Sequence, residues 1–175
     1  MVNFSTKNKS LPQTERPVFP ENEVIRLLKE QYDLCCTVKE LPGERDRNYL
    51  AQDKIGNLYV LKISNSSESF DYLETQIQAL ECATKFFDQG RIPSVIPDIN
   101  GKSLSRTISP KNISHWTRLV NFVDGIPMAH YSPHKKEFLY NIGSMCGGVT
   151  KALQSISMQH QVQRHLWEMH SANET

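Results

Sequence analysis

Lys62 is the only charge in the run "NLYVLKIS" (57–64), and Tyr59, Val60 and Leu61 ahead of it read as a buried strand. An ammonium buried without a partner costs several kcal/mol, so this side chain either reaches water on an outer face or meets an anion. A lysine beside a turn rich in donors suits phosphate as a point-charge partner. Such a turn lies upstream in "PGERDRN" (42–48), which offers Gly43, Arg45, Arg47 and Asn48. One glycine does not write a backbone cradle of several amides, so side chains or isolated amides would make the contacts. The bland readings stand beside these: a surface lysine on a half-exposed strand, and a solvated hairpin turn carrying two arginines.

Other reactive groups carry less. Cys35, Cys36, Cys82 and Cys146 form no C-x-x-C pair, and two are adjacent, which suits neither a zinc site nor a disulfide framework; buried free thiols are expected. His160, His165 and Glu168 could converge on a helix, but no fourth ligand is in sight, so no protein-held metal is assigned.

These groups sit in a chain of 175 residues, 38% apolar and 22% charged, which is enough for one domain with a real core. A net charge of +1 supplies no basic field for nucleic acid, and no apolar run approaches the length of a membrane span. The polar start "MVNFSTKNKSLPQTERP" has no signal-peptide core, so a cytoplasmic location is expected.

The positioning elements follow from periodicity. Residues 1–20, with Pro12, Pro17 and Pro20, read as a flexible leader. "ENEVIRLLKEQY" (21–32) predicts an amphipathic helix, "LCCTVKEL" (34–41) a strand, and 49–64 a hairpin turning at Lys54–Asn57. Phe70, Leu73, Ile77, Leu80, Thr84 and Phe87 recur at steps of three and four, predicting a long helix over 69–88 that Gly90 ends. "SVIPDINGKSLSRTIS" (94–109) predicts a second hairpin with Asn100-Gly101 at its tip, and "HWTRLVNFV" (115–123) a further strand. From Ser132-Pro133 a helix is expected, striped by Phe138, Ile142, Cys146, Val149 and Leu153, with Gly143 and Gly147 permitting close contact. A last helix or loop is expected at 158–170. The fold class is α+β: an antiparallel sheet of about five strands with one long helix (21–126), then a linker and helices (127–175).

Strand, donor-rich turn, strand, strand with V-x-K, long helix, strands, then D-G is the order of a protein-kinase-like amino-terminal lobe. "ELPGERDRNY" (40–49), "YVLKIS" (59–64), "TRLVNFVDGIPMA" (117–129), "FLYNIGSMCGGVTKALQ" (138–154) and "RHLWEM" (164–169) resemble the aminoglycoside phosphotransferase and choline kinase superfamily, most of all its hydroxylysine-kinase-like branch. The resemblance implies that Lys62 reaches the α- and β-phosphates of ATP and that the turn with Gly43, Arg45, Arg47 and Asn48 covers them. It gives the lysine-orienting role to Gln76, a glutamine where an acid is usual, with Glu74 as second choice. It sets adenine against backbone groups of Asn121 and Val123, flanked by Leu119 or Val120. Magnesium would arrive with ATP.

In this superfamily the larger lobe carries an H-x-D-x-x-x-x-N loop and then an acidic metal-binding motif. None of His115, His130, His134, His160, His165 and His170 has an aspartate two residues on. The expectation is therefore the ATP-binding portion of a small-molecule kinase, without catalytic residues of its own. It would phosphorylate a hydroxyl of an amine, amino acid or aminoglycoside-like acceptor in the full-length protein. The alternative is a non-catalytic nucleotide-binding or protein-interaction module, and a plain packing unit without a ligand is the third reading. The stripe of 138–153, uncovered in so short a chain, implies a homodimer.

Overall fold

The computed structural model describes residues 15–88, 90–133, 135–154 and 156. The segment 158–170, with "RHLWEM", His160, His165 and Glu168, lies outside the described residues. Helix α1 (Glu21–Tyr32) is followed by strands β1 (Cys36–Leu41), β2 (Arg47–Asp53) and β3 (Leu58–Ile63), then helix α2 (Phe70–Phe86). Strands β4 (Val95–Ile96), β5 (Ser105–Ile108) and β6 (Ser114–Asn121), a 3-10 turn (Met128–His130) and helix α3 (Lys136–Leu153) complete the order. The sheet has six antiparallel strands in the order β1-β2-β3-β6-β4, with β5 also on β6.

Strand alternation divides the sheet into two faces. Tyr49, Ala51, Leu61, Ile63 and Leu119 point one way and bury with Val24, Leu27 and Leu28 of α1. On the other face Leu73 and Ile77 of α2 pack with Leu104, Val95 and Trp116. Helix α2 begins where Ser69 Oγ accepts the Tyr72 amide at 3.2 Å, an N-cap that satisfies one orphan donor of the first turn. The sheet is thus held between two helices, and the face under α2 also carries Asn48, Lys62 and Arg118.

Several expectations need correction. β4 and β5 do not form a hairpin: both run antiparallel to β6, β4 on Leu119–Val120 and β5 on Ser114–Thr117. Thr117 pairs with Ile63 and Ser105, and Leu119 with Leu61 and Ile96, so β4 and β5 share the β6 edge opposite β3. The Asn100-Gly101 turn exists, with Gly101 at φ 76, but it only loops the chain out and back. Asp98 ties that loop, accepting Asn100 N at 2.8 Å, Lys102 N at 2.9 Å and Ser105 Oγ at 2.7 Å. The true hairpin joins β5 to β6 through Ser109–Ile113, where Asn112 takes φ 59.

α3 starts at Lys136 instead of Pro133, with no side-chain cap. Gly143 and Gly147 meet nothing within 4 Å; the close approach is at Gly148, where a Cβ would come 2.8 Å from Phe87 Cζ. Cys146 of the expected stripe is exposed, while Ala152 is buried. The four cysteines are free as expected but not buried, Cys35 and Cys146 being exposed and the other two half-buried. Residues 15–20, assigned to the leader, are packed: Pro17 and Phe19 are buried, and Phe19 O accepts a hydrogen bond from the Tyr49 hydroxyl.

Candidate functional site

Register brings three polar side chains together in the middle of an apolar sheet. Lys62 pairs with Asn48 on β2 and with Arg118 on β6. All three therefore project from the face that α2 covers, the opposite face to the buried Leu61 and Ile63. Lys62 is half-buried, and among the described residues no hydrogen bond or ion pair engages its ammonium. Burial, and then the Arg118 guanidinium, pull its pKa below the ordinary 10.5, while the Asp46 carboxylate opposes them.

Arg118 is only 7% exposed. Its Nη2 donates to Gln76 Oε1 on α2 at 2.8 Å, and its Nη1 is buried without a hydrogen-bond partner among the described residues. Burial lowers its pKa, opposed by Asp46, Glu68 and Tyr72. Gln76 thus faces Arg118, and no hydrogen bond joins it to Lys62. Glu74, half-buried on α2, forms no ion pair with either cation among the described residues.

The turn before β2 is built by close backbone approach. A Cβ on Gly43 would lie 2.7 Å from both Asp46 O and Asn48 Nδ2, so glycine is the residue that fits. Asn65, 1% exposed and two residues past β3, fastens the turn: its backbone N–H donates to Asp46 Oδ1 at 3.0 Å. Arg45 points back to the start of α2, donating to Ser67 Oγ at 3.0 Å and pairing with Glu68 at 3.2 Å. Asn48 Nδ2 reaches Pro42 O at 3.4 Å, and its Oδ1 is buried without a hydrogen-bond partner among the described residues.

Two expected contacts fall on the wrong side of the sheet. Arg47 is the first residue of β2 and shares a face with Tyr49, away from Lys62; it donates to Pro17 O at 2.9 Å and pairs with Glu40 at 2.6 Å. Leu119 is 1% exposed in the core under α1, and Val120, one residue on, occupies the Lys62 face instead. One residue of parity decides each case. Asn121 closes the strand, its amide donating to Ser94 O at 3.1 Å and its Oδ1 accepting from Ser94 Oγ at 2.9 Å. Val123 follows in the half-buried segment after β6.

Sequence reasoning missed Arg118. Its signal was present: in "TRLVNFV" it is the sole charge in an apolar run, as Lys62 is in "YVLKIS". Among the described residues no group of three or more His, Cys, Asp or Glu side chains could hold a metal. No helix among them is long and apolar enough to cross a membrane.

No family model matches the chain. A hydroxylysine kinase from Danio rerio is 25% identical over 170 residues, covering 89% of this chain and 46% of that protein. Among solved structures, the amicoumacin kinase hAmiN in complex with AMP-PNP, Ca2+ and Ami superposes with a TM-score of 0.68 at 14% identity, over 89% of this chain and 47% of that one. The fold is that of a kinase-like amino-terminal lobe. A microcompartment-associated aminopropanol kinase gives a TM-score of 0.62 at 14% identity, over 85% of this chain and 46% of its own. The chain spans about half the length of each relative. These relatives are small-molecule kinases, and the resemblance read from the sequence stands on them.

Proposed function

We propose that this chain is the ATP-binding portion of a small-molecule kinase, with the nucleotide's phosphates at Lys62. The observation that carries this reading is a half-buried lysine with no hydrogen-bond or ion-pair partner among the described residues, its pKa lowered by burial, paired across the strands with Asn48 at the end of the turn that Gly43 shapes. A polyphosphate would supply the missing anion, and its recovery of Coulomb energy is larger on a face partly removed from water. Asn48, opposite Lys62, and backbone amides of the 43–46 turn are the groups that would cover it; Arg45 is already committed to Glu68. Adenine would lie along Asn121–Val123 with Val120 beneath it. Magnesium would be held by the triphosphate, since the described residues offer no acidic cage for it. The hydroxyl acceptor, an amine, amino acid or aminoglycoside-like compound, would be bound by residues outside this chain, as would the catalytic base. A cytoplasmic location fits this chemistry.

A second reading has its own support. Gln76 is engaged by Arg118 and not by Lys62, so the usual acid–lysine link is missing, which suits a non-catalytic nucleotide-binding module. Both readings share the site, and backbone amide spectra test it. Addition of ATP with magnesium should move the resonances of 43–48, 60–62 and 121–123. Shifts confined to other segments, or none, would refute the assignment.

A further inference from the structure

We propose that Arg118 is a second cation of the phosphate site, binding the same polyphosphate as Lys62 and held in place by Gln76. The inference rests on the phosphate reading of Lys62 and adds a residue to it. A guanidinium this deep ordinarily has its donors filled, because an unpaired buried charge is among the costliest groups in a fold. Here one fork nitrogen is anchored by a neutral acceptor, Gln76 Oε1 at 2.8 Å, and the other, Nη1, is left without any among the described residues. Gln76 supplies direction without countercharge.

The neighbouring cation makes the arrangement harder to explain as packing alone. Lys62 and Arg118 are cross-strand partners, and like charges directly opposite one another destabilise a sheet. Asp46 acts on both cations and Glu68 on Arg118 alone, and neither forms an ion pair with Lys62 or Arg118 among the described residues. Asp46 accepts from the Asn65 amide at 3.0 Å, and Glu68 pairs with Arg45 at 3.2 Å. A dianionic or more highly charged phosphate chain entering beside Lys62 would relieve the repulsion and offer Nη1 an oxygen acceptor. A guanidinium presents its donors in a planar fork matched to phosphate, whereas an ammonium acts as a point charge, so the two cations would do different work on one ligand. A glutamate at position 76 would close this arrangement by neutralising Arg118 from within.

Inorganic tripolyphosphate is the direct probe, because it carries the charge of the nucleotide without its base. Calorimetric titration should detect binding to the wild-type chain. Arg118→Met should weaken that binding by about tenfold or more, the loss of a charge-assisted hydrogen bond, and Arg118→Lys should restore part of it. Gln76→Glu serves where Arg118→Met fails to fold. It should weaken tripolyphosphate binding severalfold while the melting temperature holds or rises. Equal affinity in a folded Arg118→Met, equal or tighter affinity in Gln76→Glu, or no tripolyphosphate binding by the wild type would each overturn the proposal. ATP separates the two levels. Binding of ATP weakened by Lys62→Ala alone would leave the nucleotide reading standing and remove Arg118 from it. Tripolyphosphate bound through both cations, with ATP no tighter, would keep the anion site and reject the nucleotide.

Discussion

Lys62 carries a charge that its surroundings only partly support, and that has a measurable cost. With its pKa below 10.5, the folded chain binds fewer protons than the unfolded chain between the lowered value and the ordinary one. Stability contributed by this group therefore rises with pH across that alkaline window and is at its lowest below it, where the ammonium is fully charged. Lys62→Met should raise the stability of the ligand-free chain by about 1 kcal/mol near neutral pH and abolish the rise. Denaturant unfolding at a series of pH values measures both effects; a destabilised Lys62→Met would mean that the ammonium is satisfied. Gly43 is the second residue whose identity is dictated by geometry. Gly43→Ala would press a methyl against a backbone oxygen and an amide at 2.7 Å, which should cost about 1–3 kcal/mol in a thermal melt and loosen the turn over the site.

At the scale of elements, Asp98 and Gly148 do the work that simpler patterns assigned elsewhere. Burial works against the Asp98 carboxylate, yet hydrogen bonds from Lys102 N, Ser105 Oγ and Asn100 N hold its pKa below the ordinary 3.8. Its contribution is therefore complete above about pH 4 and is lost as pH falls through the depressed value. Asp98→Ala should lower the melting temperature at neutral pH, and the gap to wild type should narrow on acidification. The two adjacent glycines of α3 should part company: Gly147→Ala gains about 0.5–1 kcal/mol of helix propensity in open space, whereas Gly148→Ala meets Phe87 at 2.8 Å and should gain less or lose stability. Melting temperatures of the pair check the α2–α3 contact directly.

The same elements show what a sequence can disclose. α1 and α2 were legible because a packed face repeats every three or four residues, and Ser69 marks its own helix start. β4 and β5 were misread because Asn100-Gly101 is a hairpin turn by composition, while the decisive pairing is with β6, which follows both. The site was half legible for a related reason. The charge of Lys62 inside an apolar run is local information, but its neighbours Asn48 and Arg118 come from register, as do the faces that exclude Arg47 and Leu119.

For the whole molecule, α3 is the open question of packing. Phe138, Ile142 and Val149 are half-buried, while Leu139, Tyr140 and Met145 are exposed at 48%, 76% and 42%. Apolar surface of this kind favours association. The homodimer expected through the stripe of 138–153 predicts a mass that rises with concentration in sedimentation experiments and returns to 20.1 kDa in Leu153→Glu. A monomer at every concentration would refute it. The nucleotide reading stands or falls with Lys62. Calorimetric titration of the chain with ATP and magnesium, beside Lys62→Ala, tests it most directly. Saturable binding to the wild type is expected, weakened by about tenfold or more in the variant. Equal binding by both would contradict the role of Lys62, and no binding by the wild type would contradict the nucleotide site itself.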